Sequence, residues 1–302
     1  MPLRLEERDG SIEVWQGGVR LFRYCTRAEA SKPHCDLLAL PADAGELAGT
    51  NLVLSRPHDH VWHYGLFFVP KLVDGINCWE SELFRREGRT HGWGYSCGLL
   101  AEATEGPTVS FSDTVLWRSS EGEELLRERR SISICEPTGP AYTLEWRVRL
   151  EAVGQHRHLS SESRHGHYSG LSIRFVRSMA NGRLLHPGGE NPPPDSGVKG
   201  PWCDYTGYLD GSPRLGEPHE AGIALFDHPA NRYASRFFTM NQPFGFIAAN
   251  PTYYQVLTLR LDEPLELSWA VWVHAGRPER SAIESAYRQW VSDSGAAAAG
   301  GE

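Results

Sequence analysis

The sequence predicts an all-β chain, a large antiparallel sandwich or barrel with one helix near its C-terminal end. Three observations carry that reading. Residues 142–152 alternate strictly, with Tyr142, Leu144, Trp146, Val148, Leu150 and Ala152 on one face and Thr, Glu and Arg on the other, which is the period of a half-buried strand. Runs of the same period recur at 12–15, 109–117, 132–135, 171–175, 256–261 and 265–273, separated by clusters of Gly, Pro, Asp and Ser; many such strands with short turns make a sandwich or barrel. Only one stretch has convincing helical spacing: Pro278 stands where a first helical residue would, and Ile283, Tyr287, Trp290 and Val291 follow.

In chain order, the first strands lead to a histidine-rich segment at 56–65 and then to a hairpin within 71–80, whose turn is set by Asp74-Gly75. Residues 186–200, HPGGENPPPDSGVKG, hold too many prolines and glycines for a ladder, so they are expected to form a long exposed loop, a kind that often serves as a lid. With 302 residues and 40% hydrophobic side chains, the chain can bury a substantial core, and β folds of this size are commonly one domain. Residues 1–292 are read as that domain, and the small, polar residues 293–302 as a disordered tail.

Composition excludes several classes of function. The net charge is −8 and there is no basic run, so nucleic acid is not an expected partner. No apolar stretch approaches the roughly 18 residues that cross a bilayer, and the first residues lack the apolar core of a signal peptide, so no membrane partner and a cytoplasmic location are expected. The six cysteines are scattered without a CxxC pair and are read as reduced packing residues. No GxGxxG, GxxxxGK[ST], HExxH or GxSxG pattern is present, so no nucleotide cofactor is expected. Exposed edge strands would allow a homodimer.

The densest chemistry lies at His58-Asp59-His60-Val61-Trp62-His63, three imidazoles and a carboxylate within six residues. If the segment is extended, His58 and His60 project to one side, and a turn near Trp62 would bring His63 to join them. Imidazoles titrate near neutral pH and act as general acid and base, with Asp59 orienting one tautomer. The same three histidines are also candidate ligands for one divalent transition metal. The next hairpin carries Lys71, Asn77, Trp79 and Glu80, hydrogen-bonding heads beside an aromatic face, the mixture a sugar ring requires. Tyr168 precedes the apolar run holding Arg174, which must meet a carboxylate or an anionic ligand if buried. Trp202 and Asp204 follow the long loop, and Asp227-His228 form a candidate acid/base pair at a strand end, where turn residues are also common. His156, His158, His165 and His167 fall in a polar stretch read as a solvated loop.

Taken in order, Lys32-Pro33, residues 56–66 (RPHDHVWHYGL), 74–80 (DGINCWE), 168–174 (YSGLSIR), 202–207 (WCDYTG) and 222–231 (GIALFDHPAN) resemble the PmoA-like family of bacterial proteins of unknown function. The resemblance covers nearly the whole chain. It departs where Val61, Tyr64 and Cys78 stand in place of the Pro, Arg and Tyr or Phe frequent in the family. The family is named after a methane-oxygenase subunit, an integral membrane protein, and a chain with no spanning segment does not share that role. What the resemblance implies is a supersandwich similar to galactose mutarotases, in which a concave sheet presents His, Arg and acidic side chains to a sugar. The leading expectation is a carbohydrate-active enzyme that moves a proton on a sugar or keto-sugar: an epimerase or mutarotase, or an eliminase or hydrolase. In it His60 and His63 supply acid and base, Glu80 or Asp227 assists, and Lys71, Asn77, Arg174 and Asp204 hold the ligand. The alternatives are a metal-dependent hydrolase or oxygenase and a non-catalytic ligand-binding sandwich.

Overall fold

Alternation becomes strand pairing along most of the chain. The computed structural model describes residues 1–27, 29–161, 166–210 and 218–299, and its named strands pair antiparallel throughout. One nine-stranded sheet runs Glu105–Gly106, Leu3–Arg8, Ser11–Gln16, Val19–Cys25, His34–Leu38, Leu66–Val69, Gly170–Arg174, Phe246–Asn250 and Arg236–Met240. A ten-stranded sheet faces it, and its long members Thr108–Ser119, Glu124–Cys135, Ala141–Ala152 and Leu265–Ala275 lie side by side. A small third sheet joins Leu257–Leu259, Arg157–Ser160, Leu72–Val73 and Ile76–Asn77. The arrangement is sandwich-like, with a helix at its C-terminal end.

The inward residues of both large sheets make one core. Val14, Phe22 and Ile173 come from the first sheet, and Trp117, Leu144 and Trp146 from the second, all fully buried. A second, smaller core of Leu185, Trp202, Ala224, Phe226 and Ala270 lies on the other face of the second sheet, where helix α2 (Arg280–Ala299) covers it with Ile283 and Trp290. That helix therefore shields an apolar sheet face.

Several boundaries differ from the sequence expectation. The run at 132–135 is the end of a twelve-residue strand, Glu124–Cys135, whose inward positions include the charged Glu128 and Arg130, so hydropathy alone cut it short. Helix α2 begins two residues after Pro278 and continues through the alanine-rich residues up to 299, past the expected end at 292; alanine's high helix propensity accounts for the extension. Residues 300–302 lie outside the described residues. Part of 186–200 does hold a ladder, since Gly189–Glu190 pairs with Arg183–His186, and Val198 bridges to Phe237. A short helix α1 (Ser81–Arg86) and two 3-10 turns were not legible, being too short to show a period. In the expected polar loop, His158 instead sits on a strand of the third sheet, and His165 lies outside the described residues.

Candidate functional site

The histidine segment folds back on itself instead of extending. His60 N–H donates to Pro57 O, His63 N–H to His60 O, and Arg56 N–H to His63 O at 2.6 Å. This tight turn swings His58 outward, where its Nδ1 accepts a hydrogen bond from Arg177 Nη2 at 3.1 Å. The His60 and His63 rings are stacked, with centroids 4.8 Å apart and planes 20° from parallel. Gly65 ends the segment at φ +80°, and a Cβ there would lie 2.4 Å from the Cys35 carbonyl oxygen. Only glycine passes that point before the chain enters Leu66–Val69.

Beneath the segment, Arg174 is fully buried at the end of its strand. Its Nη2 meets Asp59 Oδ2 at 2.9 Å, and its guanidinium lies 3.3 Å from the centre of the Phe244 ring. Burial pushes the Asp59 carboxyl up, but the hydrogen bond and charge of Arg174 outweigh it and hold the group well below the usual carboxylate range. His60 Nδ1 stands 3.4 Å from Asp59 Oδ2, outside hydrogen-bond geometry. Burial lowers the proton affinity of His60, and it does so far more strongly for His63, helped there by the charge that His60 carries when protonated and by that of Arg174. Both rings are therefore neutral at neutral pH.

The opposite wall comes from the hairpin and the residues after it. Asp74 and Gly75 both have positive φ, 50° and 82°, as a type I′ turn requires. Asn77 Oδ1 then accepts the N–H groups of Trp79 and Glu80, and Asn77 Nδ2 donates to Glu80 Oε2 at 2.6 Å. Tyr168 Oη donates to Glu80 Oε1 at 2.5 Å. Lys71 Nζ donates to Gly166 O and lies 3.4 Å from the Tyr168 ring centre; burial pushes its pKa down to about 8.

Between the two walls opens a cleft of about 620 Å³, lined by His60, His63, Lys71, Asn77, Glu80 and Tyr168 together with Trp62, α1 residues Leu83 and Phe84, and Phe238, Met240, Phe244 and Phe246. Glu80 is close enough across this space for its charge to act on His60. The turn, the hairpin and the segment leading into the strand Gly170–Arg174 thus bring six of the expected residues together.

The other expected residues stand elsewhere. Trp79 is fully buried behind the cleft, between the rings of His63 and Tyr168 at 6.1 and 4.9 Å, so it offers no face to a ligand. Asp59 and Arg174 support His60 from below, and His58 faces Arg177. Trp202 fills the small core under α2. Asp204 is buried in the second sheet, bonded to His274 Nε2 at 2.9 Å and to Thr206 Oγ1. Asp227 and His228 do not form an acid/base pair: Asp227 accepts from Asn231 and from Ser235 N and Oγ, closing a turn, while His228 Nε2 meets Ser294 Oγ on α2 at 3.0 Å. The three histidines of 58–63 do not converge on one point, and two near-parallel rings direct their in-plane lone pairs side by side, so they make no metal triad here.

Sequence reasoning missed the aromatic lining. Phe84 lies on α1, too short to show a period, and Phe238 lies on a strand near the edge of the first sheet. Phe244 was missed too, although it carried a signal that could have found it, a Phe between Pro243 and Gly245 in a turn, outside the regular pattern.

Fold and site together define an antiparallel β-sandwich protein with a polar, aromatic-lined cleft at the end of its first sheet. The chain belongs to a family described only as being of unknown function, DUF6807, whose model matches residues 11–288. A search of curated proteins found no match.

Proposed function

We propose that the cleft is the active site of a carbohydrate-active enzyme that moves a proton on a sugar or keto-sugar. The observation that carries this reading is the neutral His60–His63 pair facing the Glu80–Tyr168–Asn77–Lys71 wall across an aromatic-lined space of about 620 Å³. Asp59 beside His60 Nδ1 favours the tautomer protonated there, leaving Nε2 as the basic nitrogen of a ring that lines the cleft. In the step proposed, His60 takes a proton from the carbon next to a carbonyl, and the oxygen that gains charge is met by Lys71 or the Tyr168 hydroxyl. Protonation of the opposite face of that carbon, from the Glu80–Tyr168 wall across the cleft with His60 releasing its proton to solvent, gives epimerisation; departure of a neighbouring oxygen substituent, protonated by His60, gives elimination. Asn77 and Glu80 hold hydroxyls, and Trp62 and Phe244 present apolar faces to the C–H side of the ring. The resemblance to PmoA-like proteins and, through it, to mutarotase-type supersandwiches supports the reading by analogy.

The test is proton NMR of a panel of aldoses, ketoses, uronates and keto-glycosides mixed with the protein in D₂O. Anomer interconversion, exchange of a C–H for C–D or an elimination product is the expected outcome. Binding without any of these would make the protein a ligand-binding sandwich instead.

A further inference from the structure

A second constellation lies outside the cleft, on neighbouring strands of the first sheet. Cys25 ends Val19–Cys25 and is the direct cross-strand partner of His34. The pairing shifts register between Arg23 and Tyr24, which leaves Asp36 as the extra, unpaired residue of His34–Leu38, and such a bulge re-aims a side chain. As a result one nitrogen of His34, the Cys25 sulfur and one oxygen of Asp36 lie within 4.8 Å of one another, the one group of three or more His, Cys, Asp and Glu donors so gathered among the described residues.

Two further features suit a cation. His34 Nδ1 lies 3.0 Å from the Lys32 carbonyl oxygen. A carbonyl only accepts, so Nδ1 carries the proton and Nε2 presents a bare lone pair, the arrangement by which metal-binding imidazoles are oriented. His34 is only 6% exposed, and among the described residues Nε2 has no hydrogen-bond partner. Asp36 accepts from Arg23 Nε and Nη2 at 2.7 and 2.6 Å, and each carboxylate oxygen retains a second lone pair for an ion. The Arg23 and Asp36 side chains are 33% and 20% exposed, which opens the site to solvent on that side.

We infer that Cys25, His34 and Asp36 form a binding site for one divalent transition metal ion of the zinc type, separate from the cleft. Nitrogen, thiolate and carboxylate donors with a fourth position open to water match zinc's preferences. With bonds of about 2.0–2.3 Å, such donors stand roughly 3.3–3.7 Å apart, so the three close in by about 1 Å. Binding converts the Cys25 thiol to a metal-bound thiolate and releases its proton to solvent, with no change of oxidation state. Arg23 competes for the carboxylate. The ion would clip two adjacent strands beside His34, whose ring lies 4.4 Å from that of Tyr64, the residue after His63.

The experiment is a titration of the full, untagged chain with Co²⁺, followed by displacement with Zn²⁺. One ion per chain, a thiolate-to-cobalt charge-transfer band and release of a proton are expected. Cys25→Ser removes the band, His34→Gln weakens binding by at least about tenfold, and Arg23→Gln tightens it. Absence of saturable binding by the wild-type chain overturns the inference whatever the variants do, and so does a band that survives in Cys25→Ser.

Discussion

At the scale of single residues, His63 shows how the cleft sets its chemistry. Its ring is 6% exposed and packed among His60, Phe246 and Trp79, and burial keeps it neutral well below the usual imidazole range. In the unfolded chain it gains a proton below about pH 6.5. The folded state then binds fewer protons than the unfolded one, so stability is fully present above that pH and falls as pH drops beneath it. By pH 5 this ring alone costs up to about 2 kcal/mol. Urea unfolding at pH 7 and pH 5 should show a smaller loss for His63→Gln than for wild type, whereas an equal loss would mean that His63 is not held neutral. The cluster at 58–63 was legible in the sequence because three imidazoles and a carboxylate are crowded there. Which of them face one another was not, because that depends on three backbone hydrogen bonds of a turn that no side-chain pattern announces.

At the scale of elements, strands with one face in the core were the most readable. Ala141–Ala152 shows its alternation because each inward residue is apolar, and the Asp74-Gly75 turn because its backbone demands particular residues. Helix α1 and the strand Arg236–Met240, which supply much of the cleft's apolar lining, lacked such signals: one is a turn and a half long and the other has only five residues. The link from Tyr64 to Leu66–Val69 depends on Gly65. Gly65→Ala meets both a left-handed backbone and the Cys35 carbonyl, so it should destabilise by about 2–4 kcal/mol and displace the histidine turn. Denaturation midpoints check the first effect, and the His60 and His63 ring resonances in NMR check the second.

At the scale of the whole molecule, the two large sheets are joined by more than apolar contact. Glu128 accepts from Arg130 Nε and Nη2 at 2.6 and 2.8 Å and from Trp117 Nε1 at 2.9 Å. Arg130 reaches across to Tyr24 Oη in the first sheet and to the O of Pro33, just before the strand His34–Leu38. The Glu128, Arg130, Trp117 and Tyr24 side chains are fully buried, and Pro33, also a buried residue, contributes its carbonyl. Removing one member leaves the other charge in the core without its partner, so Glu128→Ala should cost about 3–5 kcal/mol as read by urea unfolding; a loss under about 1 kcal/mol would show that the network contributes little. This network explains why hydropathy missed two thirds of Glu124–Cys135, since the charged Glu128 and Arg130 occupy inward positions there. It also fixes the first sheet against the second, and the first sheet carries the cleft.

The central claim is that His60 moves a proton on a sugar bound in that cleft, and the rate of deuterium incorporation from D₂O into a responsive sugar tests it most directly. Wild-type protein should exchange the C–H beside the carbonyl, and His60→Ala, with its fold intact by circular dichroism, should do so about 10²–10⁴-fold more slowly. Equal rates in the two proteins would contradict the account.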